Sequence, residues 1–243
     1  MDSGHSGPGA DGVSDIFSFY KEHPKTCDPK DYWGQVMRIV RGKPVGEDQI
    51  QMIVDAVLSG LQIRADDVLL DLGCGNGALT DRIFSHCQGG LGVDFSPSLI
   101  EVAERDFAVP GQRDYHVQDA LGFAIAATDT TRFTRALCYG ALMFLTAEAA
   151  EKLLESVNAR FPNVERFMLG NMPDRRLIKD FFRGGYRPGM EDDPAGATGI
   201  WRTEEDFAEL ARRTGWECSI TRMPPEFFAA HYRYDVILTR PVR

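Results

Sequence analysis

LLDLGCGNGALT, residues 69–80, joins an apolar run, a glycine-rich turn and the start of a helix. Its reading decides the fold. Leu69, Leu70 and Leu72 suit a strand buried on both faces, as parallel sheets require, and the glycines suit the sharp turn that sends the chain back along the sheet. Two patterns overlap here. Gly73, Gly75 and Ala78 satisfy the G-x-G-x-x-G/A fingerprint, in which backbone N–H groups and a helix N-terminus hold a pyrophosphate. The fuller string, Asp71-x-Gly73-x-Gly75-x-Gly77, ends the strand with a carboxylate, which repels a pyrophosphate and attracts an ammonium group. A ligand with a positive amine and no phosphate fits better.

Outward from this turn, strand and helix patterns alternate. Before it, Ile50, Ile53, Val54, Val57, Leu58 and Leu61 form one face of an amphipathic helix that begins near Glu47. After it, short apolar runs at 91–93, 115–117, 135–139 and 164–169 predict strands, with Asp94 and Asp119 just beyond the first two. Ser96-Pro97 and Thr146 predict helix starts, and Thr203 with Asp206 forms a capping box for a helix ending at Gly215. Strands at 216–221 and 232–239 close the chain. Five strands alternating with helices predict a doubly wound, Rossmann-like α/β fold with helices on both faces and the ligand at the carboxyl ends of the central strands.

The chain then divides into an expected disordered tail at 1–12, an aromatic-rich helical lid at 13–45 in two short pieces, and a domain at 46–243. Residues 171–202 are expected to be an insertion or second lid, with a Gly/Pro/Asp loop.

Four successive segments, each at the carboxyl end of a predicted strand, resemble the motifs of the class I S-adenosylmethionine-dependent methyltransferases. They are LLDLGCGNG (69–77), GVDFSPSLIEVA (92–103), QDA (118–120) and CYGALMFL (138–145). The resemblance implies a seven-stranded sheet, mostly parallel with an antiparallel last strand, and S-adenosylmethionine as cofactor. It implies that Asp71 engages the methionine amino group and that the turn Gly73, Cys74, Gly75 and Gly77 borders the methionine moiety. Asp94 would accept both ribose hydroxyls, Phe95 would flank the adenine, Asp119 would bond its exocyclic amine, Ala120 would lie beside it, and Tyr139, in the fourth motif, would also contact the cofactor. A carboxylate accepting two hydroxyl protons agrees with that role for Asp94.

For the acceptor, the fourth motif carries Tyr139-Gly140-Ala141-Leu142 in place of the Asx-Pro-Pro-aromatic string of exocyclic-amine DNA methyltransferases, and no acidic metal ligands occupy that position. Glu191, Asp192 and Asp193 lie in the Gly/Pro loop and read as a solvated charge run. If the last strand is antiparallel, its start lies near the acceptor with Glu226, Phe227, Phe228, His231 and Tyr232. His231 is the candidate general base, or else a histidine bonded to a backbone carbonyl. Asn171 and Asp174, and Tyr20, His23, Tyr32 and Trp33 of the lid, are further rim candidates. The reading is a metal-independent methyltransferase acting on a small polar metabolite, a sugar or natural-product intermediate, at a hydroxyl or amine. The alternatives are an inactive methyltransferase-fold binding protein or a nicotinamide-dependent oxidoreductase.

Composition bounds the rest. The 243 residues carry 27 basic and 36 acidic side chains, a net charge of −9 that disfavours a nucleic-acid partner. Only six of the basic residues are lysine, a bias that points to a GC-rich bacterial genome. No apolar run is long enough for a membrane helix and the first residues lack signal-peptide character, so a cytoplasmic protein without a membrane partner is expected. Five scattered cysteines without a C-x-x-C pair read as reduced thiols. Oligomeric state leaves no trace in the sequence.

Overall fold

The computed structural model describes residues 16–241. The expected tail at 1–12, and the first three residues of the expected lid, lie outside the described residues. Nine helices and nine strands follow among those described. They are α1 (Ile16–Thr26), α2 (Tyr32–Gln35), β1 (Ile39–Val40), β2 (Lys43–Pro44), α3 (Glu47–Leu61), β3 (Leu69–Leu72), α4 (Ala78–Phe84), β4 (Gly90–Asp94), α5 (Pro97–Phe107), β5 (Arg113–Val117), α6 (Ala120–Ala126), β6 (Arg135–Tyr139), α7 (Ala147–Arg160), β7 (Arg166–Pro173), α8 (Ile178–Phe182), α9 (Glu204–Arg213), β8 (Glu217–Thr221) and β9 (Arg233–Thr239).

Seven strands form one sheet in the order β5-β4-β3-β6-β7-β9-β8, with β9 antiparallel to both neighbours and the other pairings parallel. The fold is the Rossmann-like α/β sandwich expected from the alternation. Period-two alternation divides the core. Leu70, Leu72, Ala136 and Cys138 face the layer that contains Leu153, Leu154 and Val157 of α7 and Phe207 of α9. Leu69, Leu137 and Met168 face Ile50, Ile53 and Val57 of α3 and Ile83 of α4. The chain runs from β3 outward through β4 and β5, then crosses back to β6. The strand order therefore reverses between β3 and β6, where their carboxyl ends leave a crevice.

Three local departures from the expected elements matter for the site. Residues 39–44 pair as a two-stranded ribbon, Ile39 with Pro44 and Val40 with Lys43, rather than continuing the helical pieces before them. Arg41 and Gly42 both have positive φ, the turn geometry that two-residue hairpin loops require. Asp119 caps α6, a helix absent from the sequence reading, through its Oδ1 and the Gly122 N–H at 2.7 Å. β7 continues to Pro173, with a register shift against β9 between Leu169 and Met172, a bulge that leaves Asn171 at φ +66°.

The capping box forms as the sequence predicts: Thr203 Oγ1 accepts the Asp206 N–H at 3.1 Å, and Asp206 Oδ2 accepts the Thr203 N–H at 2.7 Å. Thr203→Ala removes half of this exchange and is expected to cost about 1 kcal/mol. Scanning calorimetry should record that as a fall of about 2–4 °C in the unfolding midpoint.

Candidate active site

The crevice at the β3/β6 switch opens into a cavity of about 330 Å³, and a second of about 80 Å³ adjoins it across Tyr20, Gly73, Asp94, Phe95, Ala141 and Phe144. The glycine turn forms part of the floor. Gly73 has φ +90°, and a Cβ there would lie 2.5 Å from the Cβ of Ala141 on the neighbouring loop. Gly75 has φ +60°, and a Cβ there would meet Val36 at 3.0 Å. Both positions keep the backbone bare where β3, the β6 loop and the N-terminal segment converge. Gly77 lies off the cavity walls and caps α4, at a spot where a side chain would strike Ala103 and Tyr115.

Two buried carboxylates stand at adjacent strand ends. Asp94 closes β4 and lines both cavities, its Oδ2 accepting the Gly75 N–H at 3.0 Å and its Oδ1 the Ser96 N–H at 2.9 Å. Burial raises its pKa to about 6, against the lowering effect of those two bonds. Asp71, on β3, is 2% exposed and off the cavity walls. Its Oδ2 accepts the Thr80 hydroxyl at 2.6 Å, whereas its Oδ1 is buried without a partner. Burial carries its pKa to about 7, with Thr80 and the nearby Arg38 charge pulling the other way. An orphaned, buried carboxylate oxygen calls for a donor, ideally a cationic one.

The smaller cavity gathers Phe95, Asp119, Ala120 and Cys138 with Ile16, Phe17 and Tyr20 of α1, a mostly apolar slot whose acids are Asp94 and Asp119 among the described residues. The larger one takes in Cys74, Tyr139 and Asn171. The buried Tyr139 ring lies so close to Gly170 that a Cβ there would stand 2.1 Å from it. Its hydroxyl has no hydrogen-bond partner, and burial lifts its pKa far above the ordinary phenol value.

The candidate residues thus converge unequally. His231 is exposed, lies with its ring centre 4.8 Å from that of Tyr232 at an interplanar angle of 54°, and is absent from the walls of both cavities, whereas Phe228 and Tyr232 line the larger. Asp174 is buried in ion pairs with Arg176 at 3.0 Å and Arg222 at 2.7 Å, and Glu226 is exposed. Tyr32 donates to Asp106 at 3.0 Å and His23 bonds the Gly34 carbonyl at 3.0 Å, so both pack the N-terminal segment and leave Tyr20 on the wall. Glu191 and Asp192 pair with Arg175 within the 171–202 segment. No group of three or more His, Cys, Asp or Glu side chains among the described residues is placed to hold a metal ion.

Sequence reasoning missed Arg38, Arg41 and Arg233, which all line the larger cavity. Arg38 reaches it because Asn76, inside the glycine motif, donates its side-chain amide to the Tyr32 carbonyl at 2.7 Å and to Gln35 at 2.8 Å, tying α2 to the turn. An unexplained Asn within a Gly-rich turn was the available signal.

Comparison with known proteins agrees with this geometry. Residues 69–160 match the methyltransferase domain family. An uncharacterized methyltransferase of Schizosaccharomyces pombe is 28% identical over 89 residues, which is 35% of this chain and 32% of that protein, so the match spans about a third of the yeast relative. A "Probable cobalt-precorrin-6B C(15)-methyltransferase (decarboxylating)" of Methanocaldococcus jannaschii is 24% identical over 148 residues, covering 60% of this chain and 74% of the relative. Among solved structures, magnesium protoporphyrin IX methyltransferase from Synechocystis PCC 6803 with bound SAH superposes with a TM-score of 0.65 at 16% identity, over 93% of this chain and 98% of that one. No helix among the described residues is long and apolar enough to cross a membrane.

Proposed function

This chain belongs to the class I S-adenosylmethionine-dependent methyltransferases, and on that premise we propose that it methylates a small polar acceptor at a hydroxyl or amine without a metal. The observation that carries the reading is the pairing of a bare glycine turn with Asp94, whose carboxylate both anchors that turn and lines the two adjoining cavities. When bound, S-adenosylmethionine supplies an electrophilic methyl group on a sulfonium. The residues present suit it: Gly73 and Gly75 leave the room a Cβ would fill, and the Asp71 Oδ1 lacks a donor.

In this reading Asp94 accepts two ribose hydroxyls, while Phe95, Asp119 and Ala120 hold the adenine in the smaller, apolar slot. Asp71 attracts the amino group. Arg38, close enough to Asp71 to influence its titration, takes the carboxylate carried on the same α-carbon as that amino group. The segments 16–45 and 171–202 act as lids, a role supported by Tyr20 and Val36 from the first and Phe181 and Thr198 from the second on the cavity wall. Closing them excludes water and orients the acceptor for in-line attack.

Titration calorimetry with S-adenosylmethionine, S-adenosylhomocysteine and NADH tests the cofactor, and transfer of labelled methyl to a metabolite extract tests the activity. Binding of both adenosyl compounds but not NADH is expected. Tight NADH binding would return the nicotinamide alternative, and cofactor binding without any transfer would return the inactive binding protein.

Affinity should depend on pH in a defined direction. Both carboxylates must be ionised to accept hydroxyl and ammonium donors, and their pKa values are raised to about 6 and about 7. Below those values a proton has to leave before the cofactor binds. The dissociation constant of S-adenosylhomocysteine should therefore rise at least about tenfold from pH 7.5 to pH 5.5, each group contributing up to tenfold per unit below its pKa. A flat profile over that range contradicts the assignment of these two groups.

Among the described residues, the wall of the larger cavity has no histidine, glutamate or lysine. With Asp94 assigned to the cofactor and burial raising the pKa of Cys74, Tyr20 and Tyr139, this reading favours an acceptor atom that is nucleophilic in itself, as an unprotonated amine or an ionised oxygen is. A working general base is worth about 10²–10⁴ in rate, so His231→Ala discriminates sharply. Turnover within about twofold of the parent is expected, since the exposed imidazole can go without disturbing packing.

A further inference from the structure

For a chain of net charge −9, the larger cavity is lined against the grain: among the described residues its wall holds three arginines, and Asp94 is its one acid. Arg38 and Asp94 are taken up by the proposed cofactor site, and Arg41 is exposed at the ribbon turn. Arg233 is explained by neither.

Arg233 opens β9 beside the β7 bulge and is 8% exposed. Its Nη1 donates to the main-chain carbonyl of Asn171 and lies 3.2 Å from the Met143 sulfur, and its guanidinium lies 4.7 Å from the centre of the Tyr232 ring. No carboxylate pairs with it among the described residues. Asp235, two residues along the same strand, makes no direct ion pair with it: it accepts the Asn171 N–H at 2.6 Å and feels the Arg233 charge from there, which partly offsets the rise that burial gives its pKa. A guanidinium more than nine-tenths buried is ordinarily matched by an anion, because desolvating an unpaired charge is costly. Here the side chain faces a cavity with its Nε and Nη2 free of hydrogen bonds to the protein, a fork that fits the two oxygens of a carboxylate or phosphate. The same cavity wall carries the aromatic rings of Phe144, Phe181, Phe228 and Tyr232.

We propose that Arg233 is a specificity residue that binds an oxyanion of the methyl acceptor, a carboxylate or phosphate carried on an apolar or aromatic body. The proposal rests on the methyltransferase reading for the identity of the bound molecule as acceptor. It turns the polar acceptor of that reading into an acidic one, and gives a reason for a buried cation that the fold leaves without a directly bonded anion.

Calorimetry on the protein saturated with S-adenosylhomocysteine, using benzoate, phenyl phosphate and benzamide as probes, tests it. At least one anion should bind at least tenfold more tightly than neutral, similarly shaped benzamide, and the comparison between the two anions identifies the preferred oxyanion. Arg233→Gln should remove that preference while S-adenosylhomocysteine still binds, and Arg233→Lys should restore part of it. Equal affinity for benzoate, phenyl phosphate and benzamide, binding of neither anion, or a preference that survives Arg233→Gln overturns the proposal. Should the glutamine variant not fold, the comparison on the parent protein decides alone. Failure of S-adenosylhomocysteine to bind overturns the methyltransferase reading itself, a result separate from its binding without anion preference.

Discussion

Asp94→Ala is expected to raise the dissociation constant for S-adenosylmethionine at least a hundredfold. In the proposed site the carboxylate accepts two ribose hydroxyls, and charge-assisted hydrogen bonds are worth about 1.5–3 kcal/mol each. Two of them amount to about 3–6 kcal/mol, where every 1.4 kcal/mol is tenfold in affinity. A further loss comes from the protein. The same carboxylate holds the Gly75 N–H at 3.0 Å and the Ser96 N–H at 2.9 Å, so alanine frees the turn that borders the cofactor and leaves two buried donors unmatched. Asp94→Asn separates the contributions, since its amide oxygen can still accept one of these N–H groups while the negative charge is gone. The asparagine variant should keep the thermal midpoint of the parent more nearly than alanine does, yet bind the cofactor at least tenfold more weakly. Calorimetry showing parental affinity in either variant would falsify the role given to Asp94.

The second large effect is at Gly73. An alanine there meets two penalties: a φ of +90°, which L residues rarely adopt, and a Cβ placed 2.5 Å from the Cβ of Ala141. The left-handed backbone costs about 1–2 kcal/mol, and forcing an extra carbon into a packed position costs about 1–3 kcal/mol more. Gly73→Ala should therefore destabilise the fold by about 2–5 kcal/mol, and cofactor affinity should fall with it because the β3 and β6 loops are pushed apart. Gly184→Ala is the control. Its φ is +89° with nothing within 4 Å of the added carbon, so only the backbone penalty applies. Urea unfolding of the two variants should differ by at least about 1 kcal/mol, and equal losses would show that the contact with Ala141 relaxes freely.

The elements that could be read from the chain are those whose cause is local. Leu69, Leu70 and Leu72 need only their own apolar run to become a strand, Ser96-Pro97 and Thr203 with Asp206 need only neighbours to cap their helices, and β6 appears over residues 135–139 as expected. The candidate cofactor residues were legible for the same reason. In a parallel sheet each strand ends at the same edge, so Asp71, Asp94 and Asp119, each at or just after its own strand, come to one edge once the alternation is known. The missed helix α6 is short, and its start, Asp119, was already read for another role.

The acceptor side depended on contacts between distant segments. His231 was nominated because β9 is antiparallel, and the strand does begin at the expected edge, yet the turn before it sends His231 outward and leaves Tyr232 and Arg233 on the cavity wall. Whether a residue faces in or out next to a strand depends on register, and a one-residue offset reverses it. That register is set by the bulge at Gly170 and Asn171, where Tyr139 on β6 requires a residue without a side chain at 170 and Asp235 on β9 captures the Asn171 N–H. Arg38 enters through Asn76, which bonds α2 across more than 40 positions of sequence. The sequence by itself determined the strand–helix alternation, the carboxyl edge of the sheet and the acids at that edge, because periodicity and chain direction are sufficient for those. Tertiary structure alone decided which cations face the cavity, because that follows from the packing of β6, β7 and β9 against one another and of α2 against the glycine turn.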